Sequence, residues 1–99
     1  MAERMGFAAS LDRVASLTPT LRRFVLRAQT APFPPVSPGS YAALEFGNEG
    51  RTYKNAYSIV DRSEDGRELT VIVRRAPQSR GGSVFLHEHG QPGLPVWVG

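Results

Sequence analysis

The sequence predicts an all-β chain folded as a six-stranded antiparallel barrel with one short α-helix, and three observations lead there. Short runs with alternating apolar side chains recur along the chain, the period of half-buried strands. Proline, glycine, asparagine and aspartate punctuate those runs at short intervals. Only Ser83 to His89 carries both a helix start and a helix stop. At 99 residues the chain is expected to be one domain, 1–99, with enough buried surface to fold alone.

The first strand is expected from Phe7 to Ser16, and Thr18-Pro19 turns the chain into a second from Leu21 to Arg27. In that second strand Phe24 and Leu26 share one face, with Arg23, Val25 and Arg27 on the other. The segment from Ala31 to Gly39 holds four prolines, which lack the N–H a sheet ladder requires, so it reads as a surface loop. Tyr41 to Phe46 is the third strand, followed by a turn at Gly47-Asn48-Glu49-Gly50. The fourth, Tyr53 to Val60, is closed by Ser63-Glu64-Asp65-Gly66, whose Asp-Gly pair suits a hairpin. The fifth, Glu68 to Arg75, sets Leu69, Val71 and Val73 on one face. Ser83 is read as the helix N-cap and Gly90 as its C′ residue, with Pro92 preventing continuation. Leu94 to Val98 completes the sheet.

Composition narrows the function classes. No cysteine is present, which excludes disulfides and a cysteine-ligated cluster within this chain. No apolar run is long enough to span a bilayer and no signal-peptide pattern opens the chain, so the expectation is a cytoplasmic protein without membrane contact. The formal charge of +3 allows an anionic ligand, although the arginines are scattered and read mostly as solvated faces. His87 and His89, two apart on a helix, point to different faces and do not form a metal pair. Neither Ser58 nor Ser83 lies in a nucleophile elbow, so no catalytic residue is assigned.

Two motifs carry chemistry. In Arg80-Gly81-Gly82-Ser83-Val84-Phe85-Leu86-His87-Glu88, adjacent glycines run into a helix, and glycine lets the backbone approach an anion facing the first-turn N–H groups. Arg74, Arg75 and Arg80 bracket that turn. Upstream, Asn55-Ala56-Tyr57-Ser58-Ile59-Val60 is extended, so Asn55 and Tyr57 share one face and Ala56 and Ser58 the other.

Together with Leu17-Thr18-Pro19-Thr20-Leu21, Pro38-Gly39-Ser40-Tyr41 and Val71-Ile72-Val73-Arg74-Arg75, in this order, these motifs resemble the flavin-binding domain of the ferredoxin–NADP reductase superfamily, in particular reductases of the phthalate dioxygenase and vanillate demethylase type. The resemblance covers nearly the whole chain. It implies a Greek-key barrel and an FMN cofactor, with FAD as the alternative. It implies that Tyr57 packs on the flavin ring, that Ser58 sits near its reactive nitrogen, and that Asn55 and Ala56 belong to the same strand motif. Ile59, Val73, Arg74 and Arg75 would line the ribityl chain or ring edge, and Gly81, Gly82 and Ser83 would hold the phosphate. NAD(P)H and 2Fe-2S domains would lie on a missing part of the chain or on a separate subunit. Electrons would pass from the nicotinamide through flavin to an iron–sulfur centre or an oxygenase component.

Asn55 stands where the resembled motif has arginine, which removes a charge-assisted phosphate contact unless Arg51 or Lys54 replaces it. Two other readings stand beside the flavin one: a cofactor-free interaction domain that kept the barrel, and a small basic barrel binding nucleic acid through Tyr41, Tyr53 and Tyr57. No dinucleotide fingerprint follows, so the chain reads as a fragment. Its last strand would expose Val96, Trp97 or Val98 and favour a homodimer.

Overall fold

The structure, a computed structural model, describes residues 6–37, 39–48, 50–76 and 81–99. Readings that involve Pro38, Glu49 and Arg80 lie outside the described residues. The elements are β1 (Phe7–Thr18), β2 (Leu21–Ala28), β3 (Tyr41–Asn48), β4 (Arg51–Arg62), β5 (Glu68–Arg74), α1 (Gly82–His89) and β6 (Pro95–Val98). The strands close into an antiparallel barrel in the order β1-β2-β5-β4-β3-β6. The meander β3-β4-β5 returns beside β2, which is the Greek-key connection.

Alternation decides which side chains enter the barrel. Ala42, Leu44 and Phe46 of β3 and Leu69, Val71 and Val73 of β5 are buried at every second position, as the period of two requires. β2 departs from the rule. Phe24, Val25 and Leu26 are all buried, and Val25 lies between its register partners Arg13 and Thr70, where the long arginine stem can cover an outward apolar side chain.

The proline-rich connection after β2 does more than skirt the surface. Phe33 is 1% exposed, its ring meets Phe7 edge-on at 6.1 Å, and its N–H donates to Gly66 O at 2.8 Å. Arg62 holds the same residue by donating from Nε and Nη2 to Phe33 O at 3.1 and 2.8 Å. Prolines prevent a strand here but not a buried plug, because the aromatic ring and its satisfied backbone need no ladder.

Strand β6 also corrects an expectation. Val96 and Val98 are buried at 3% and 5% exposure, and only Trp97 keeps partial exposure. Barrel closure is the cause, since β6 pairs with β1 on one side and β3 on the other and turns its valines inward. The apolar surface invoked for a homodimer is therefore mostly inside the molecule.

Between β4 and β5 the Asp-Gly hairpin forms as read. Asp65 Oδ1 accepts from the Arg67 N–H at 3.0 Å and from Ser63 Oγ at 2.8 Å, and these bonds, aided by the charges of Arg27 and Arg67, hold its carboxyl below the ordinary carboxylate value. A folded pKa below the unfolded one stabilises the fold above the unfolded value, and that contribution is lost as pH falls through the folded one. Thermal unfolding is thus expected to show a lower midpoint as pH is taken below about 4. Asp65→Asn should lower the neutral-pH midpoint slightly and flatten that acid limb; an unchanged acid limb would count against the assignment.

Candidate functional site

Strand β4 is the only strand of the described residues without a fully buried residue. Its inward row, Tyr53, Asn55, Tyr57 and Ile59, is half-buried, while Lys54, Ala56, Ser58 and Val60 face outward. The strand leaves the core where α1 begins, and the helix start closes over that inward row.

The glycines make this approach possible. Gly81 takes the N-cap position of α1 with φ +98°, a conformation that a Cβ disfavours, and no side chain caps the helix. A Cβ on Gly81 would stand 3.4 Å from Tyr53 Cε1, and one on Gly82 would overlap Asn55 Nδ2. Asn55 Nδ2 donates to the Tyr57 hydroxyl oxygen at 3.1 Å. Burial pushes the Tyr57 phenol above its ordinary pKa, and this amide donor partly offsets the shift by favouring the phenolate. Rings complete the floor: Phe46 stacks with Tyr53 at 5.9 Å, with Tyr57 at 6.4 Å and with Phe85 of α1 at 5.9 Å.

Ser83 does not cap the helix. It is buried one residue inside, and its Oγ accepts the Ala76 N–H at 2.8 Å, so its hydroxyl ties the loop back to the end of β5. Because the left-handed residue Gly81 already turns the chain, the serine falls two positions too late to be the N-cap. At the other end Gly90 is not left-handed (φ −77°). Glycine suits that site because a Cβ would press on Leu86 O and Phe24.

The helix is anchored to the barrel along its length. His87, 7% exposed, places Nε2 3.0 Å from Val73 O, and a carbonyl can only accept, so Nε2 carries the proton. Arg22 Nη1 donates to His87 O at 2.6 Å, and Arg75 pairs with Glu88 at 3.6 Å. His89 turns to Phe85, ring to ring at 5.1 Å, so the two histidines do face apart.

The sequence-predicted residues thus divide into three groups. Asn55, Tyr57, Gly81 and Gly82 converge at the helix start. Ser58 lies on the outer face opposite Tyr41, which is 69% exposed, with Ala56 on the same outer row; Ile59 shares the inward row with Tyr57. Val73 O and the Arg75 N–H are bound within the protein, the latter to Thr20 O at 2.7 Å, and Arg74 is exposed at the end of β5. Tyr53 was not singled out for this site, although its place on the Asn55 row was readable from the period of two.

Known proteins resemble this chain in sequence and in fold. The chain is 32% identical over 94 residues to the carnitine monooxygenase reductase subunit of Escherichia coli, covering 94% of this chain and 29% of that protein. It is 38% identical over 76 residues to the heme-dependent oxidative N-demethylase beta subunit of Ectopseudomonas mendocina, covering 77% of this chain and 24% of that protein. In structure it superimposes on phthalate dioxygenase reductase with a TM-score of 0.75 at 23% identity, covering 95% of this chain and 29% of that one. The chain has the barrel fold of the ferredoxin–NADP reductase flavin-binding type.

Other solved structures share the fold. The flavohem-like FAD/NAD binding domain of nitric oxide dioxygenase from Vibrio cholerae matches with a TM-score of 0.81 at 24% identity, covering 96% of this chain and 43% of that one. No family model matches the chain. The chain spans between a quarter and a third of the length of the curated relatives it matches. Among the described residues no helix is long and apolar enough to cross a membrane.

Proposed function

We propose that this chain is the flavin-holding domain of an oxygenase reductase, in which electrons pass from a nicotinamide cofactor through flavin to an iron–sulfur centre or oxygenase partner. The observation that carries the reading is the closure of Gly81-Gly82 over Asn55 and Tyr57, a cradle that one Cβ would fill. The reductase subunits among its relatives support the same reading.

Bound flavin would supply hydride acceptance and single-electron release, which no side chain here can perform. The chain's own groups do the placing. The first-turn N–H groups of α1 have no acceptor within the helix and favour an anion there. Tyr57, fixed by Asn55 and Phe46, offers a ring whose orientation is set before a ligand arrives. Ser58, on the outer face beside Tyr41, would offer a hydroxyl to the flavin ring. No general acid or base is required.

We take FMN as the flavin, because a terminal phosphate suits one helix start, and FAD as the alternative. The nicotinamide and 2Fe-2S sites would be supplied by other domains or subunits. Purified protein is expected to be yellow or to take up flavin on titration, with mass spectrometry of the released chromophore separating FMN from FAD. Protein that stays colourless and refuses both flavins would instead support a cofactor-free interaction domain, the reading that Asn55 in place of arginine keeps in play.

A further inference from the structure

We propose that Arg51 supplies the cationic contact to the flavin phosphate at the start of α1, held in place by the ring of Tyr53; this rests on the flavin reading above. Asn55 can donate a hydrogen bond from its amide but carries no charge, and its Nδ2 is already directed to the Tyr57 hydroxyl. A charge for the anion must therefore come from elsewhere near Gly81.

Two cations flank the motif on β4, and strand geometry separates them. Arg51, Tyr53 and Asn55 share one face, whereas Lys54 projects to the outer face, where Glu45 is its register partner. The guanidinium carbon of Arg51 lies 5.0 Å from the Tyr53 ring centroid, within cation–π range. The same ring meets Phe85 of the helix at 5.3 Å, and its Cε1 edge faces Gly81. The Tyr53 ring therefore meets both the guanidinium of Arg51 and the start of the helix. Stacking on the ring limits the freedom that a long arginine would otherwise lose on meeting a phosphate, and the planar fork suits bidentate contact. The arginine of the resembled motif is thus replaced from four positions upstream on the same face.

The test is fluorescence titration of the whole chain with two probes, FMN and riboflavin, which differ only by the phosphate. Arg51→Ala is expected to weaken FMN about 10- to 100-fold, the range of one charge-assisted hydrogen bond, and to leave riboflavin unchanged. Lys54→Ala should leave the ratio of the two affinities unaltered, and added salt should narrow that ratio for wild type but not for Arg51→Ala. Should the alanine variant fold poorly, Arg51→Gln keeps a polar stem over Tyr53 without the charge and should show the same selective loss. Equal loss of both probes, no loss, or selective loss on Lys54→Ala instead would each overturn the assignment of Arg51. Wild-type protein that binds neither probe would overturn the Arg51 proposal, and one that also refuses FAD would overturn the flavin reading itself.

Discussion

Phe24→Ala is expected to cost about 3–5 kcal/mol of folding stability, the range for removing a large buried ring and leaving a cavity. Phe24 is 1% exposed on a strand paired on both sides, with Val14 and Val71 as register partners. Its ring meets that of His87 at 6.4 Å and sits where a Cβ on Gly90 would touch it, so it joins β2 to the helix. Domains of this size hold roughly 5–15 kcal/mol in total, and each kcal/mol moves the melting midpoint by about 4–8 °C. A fall of at least ~12 °C is therefore expected, read by circular dichroism or calorimetry. Tyr41→Ala is the control: at 69% exposure it should stay within about 0.5 kcal/mol of wild type. If Phe24→Ala also lost under about 1 kcal/mol, the helix and β2 would not share one core.

The second large effect is expected at Gly82, and it falls on the ligand rather than on the fold. A side chain there meets Asn55 Nδ2, the free end of a flexible group, which can turn aside at little cost to stability. Turning aside breaks the hydrogen bond from the Asn55 amide to the Tyr57 hydroxyl and puts the new side chain between the first turn of α1 and β4. Gly82→Val, with a branched Cβ, should weaken FMN by about 10- to 100-fold or more, since charge-assisted contacts from the helix start depend on a separation fixed to tenths of an ångström. Riboflavin should fall less, because it lacks the anion. The melting midpoint should change little beside that of Phe24→Ala. A variant that binds FMN as wild type does would show that the phosphate is held elsewhere than at the helix start.

The two predictions differ because the helix has two ends with separate duties. Its last turn is locked by Phe24, by His87 on Val73 O and by Arg22 on His87 O. Its first turn meets β4 through glycines that lie against Tyr53 and Asn55 and through the Phe85 ring on Tyr53. A rigid anchor at one end holds an adaptable surface at the other, which is how a short helix can present its N-terminus at a fixed place.

Much was legible before any coordinates. Alternation placed Leu69, Val71 and Val73 inside, and Asp65-Gly66 marked its hairpin, because both signals are local: one follows from the pleat and the other from a turn. The order of the short motifs pointed to the superfamily for a related reason, since each is a run of adjacent residues. What the chain could not reveal alone depends on partners distant in sequence. Phe33 is a plug only because Phe7, Gly66 and Arg62 surround it, and Val96 and Val98 are buried only because β6 closes between β1 and β3. Ser83 seemed a cap by type, yet whether it caps depends on the left-handed turn at Gly81 two residues earlier and on Ala76 across the loop. The choice between Arg51 and Lys54 was open from composition, because both are cations near Asn55. Tertiary structure separated them: a strand turns adjacent side chains to opposite faces, and only the Arg51 face is the one over which the helix closes.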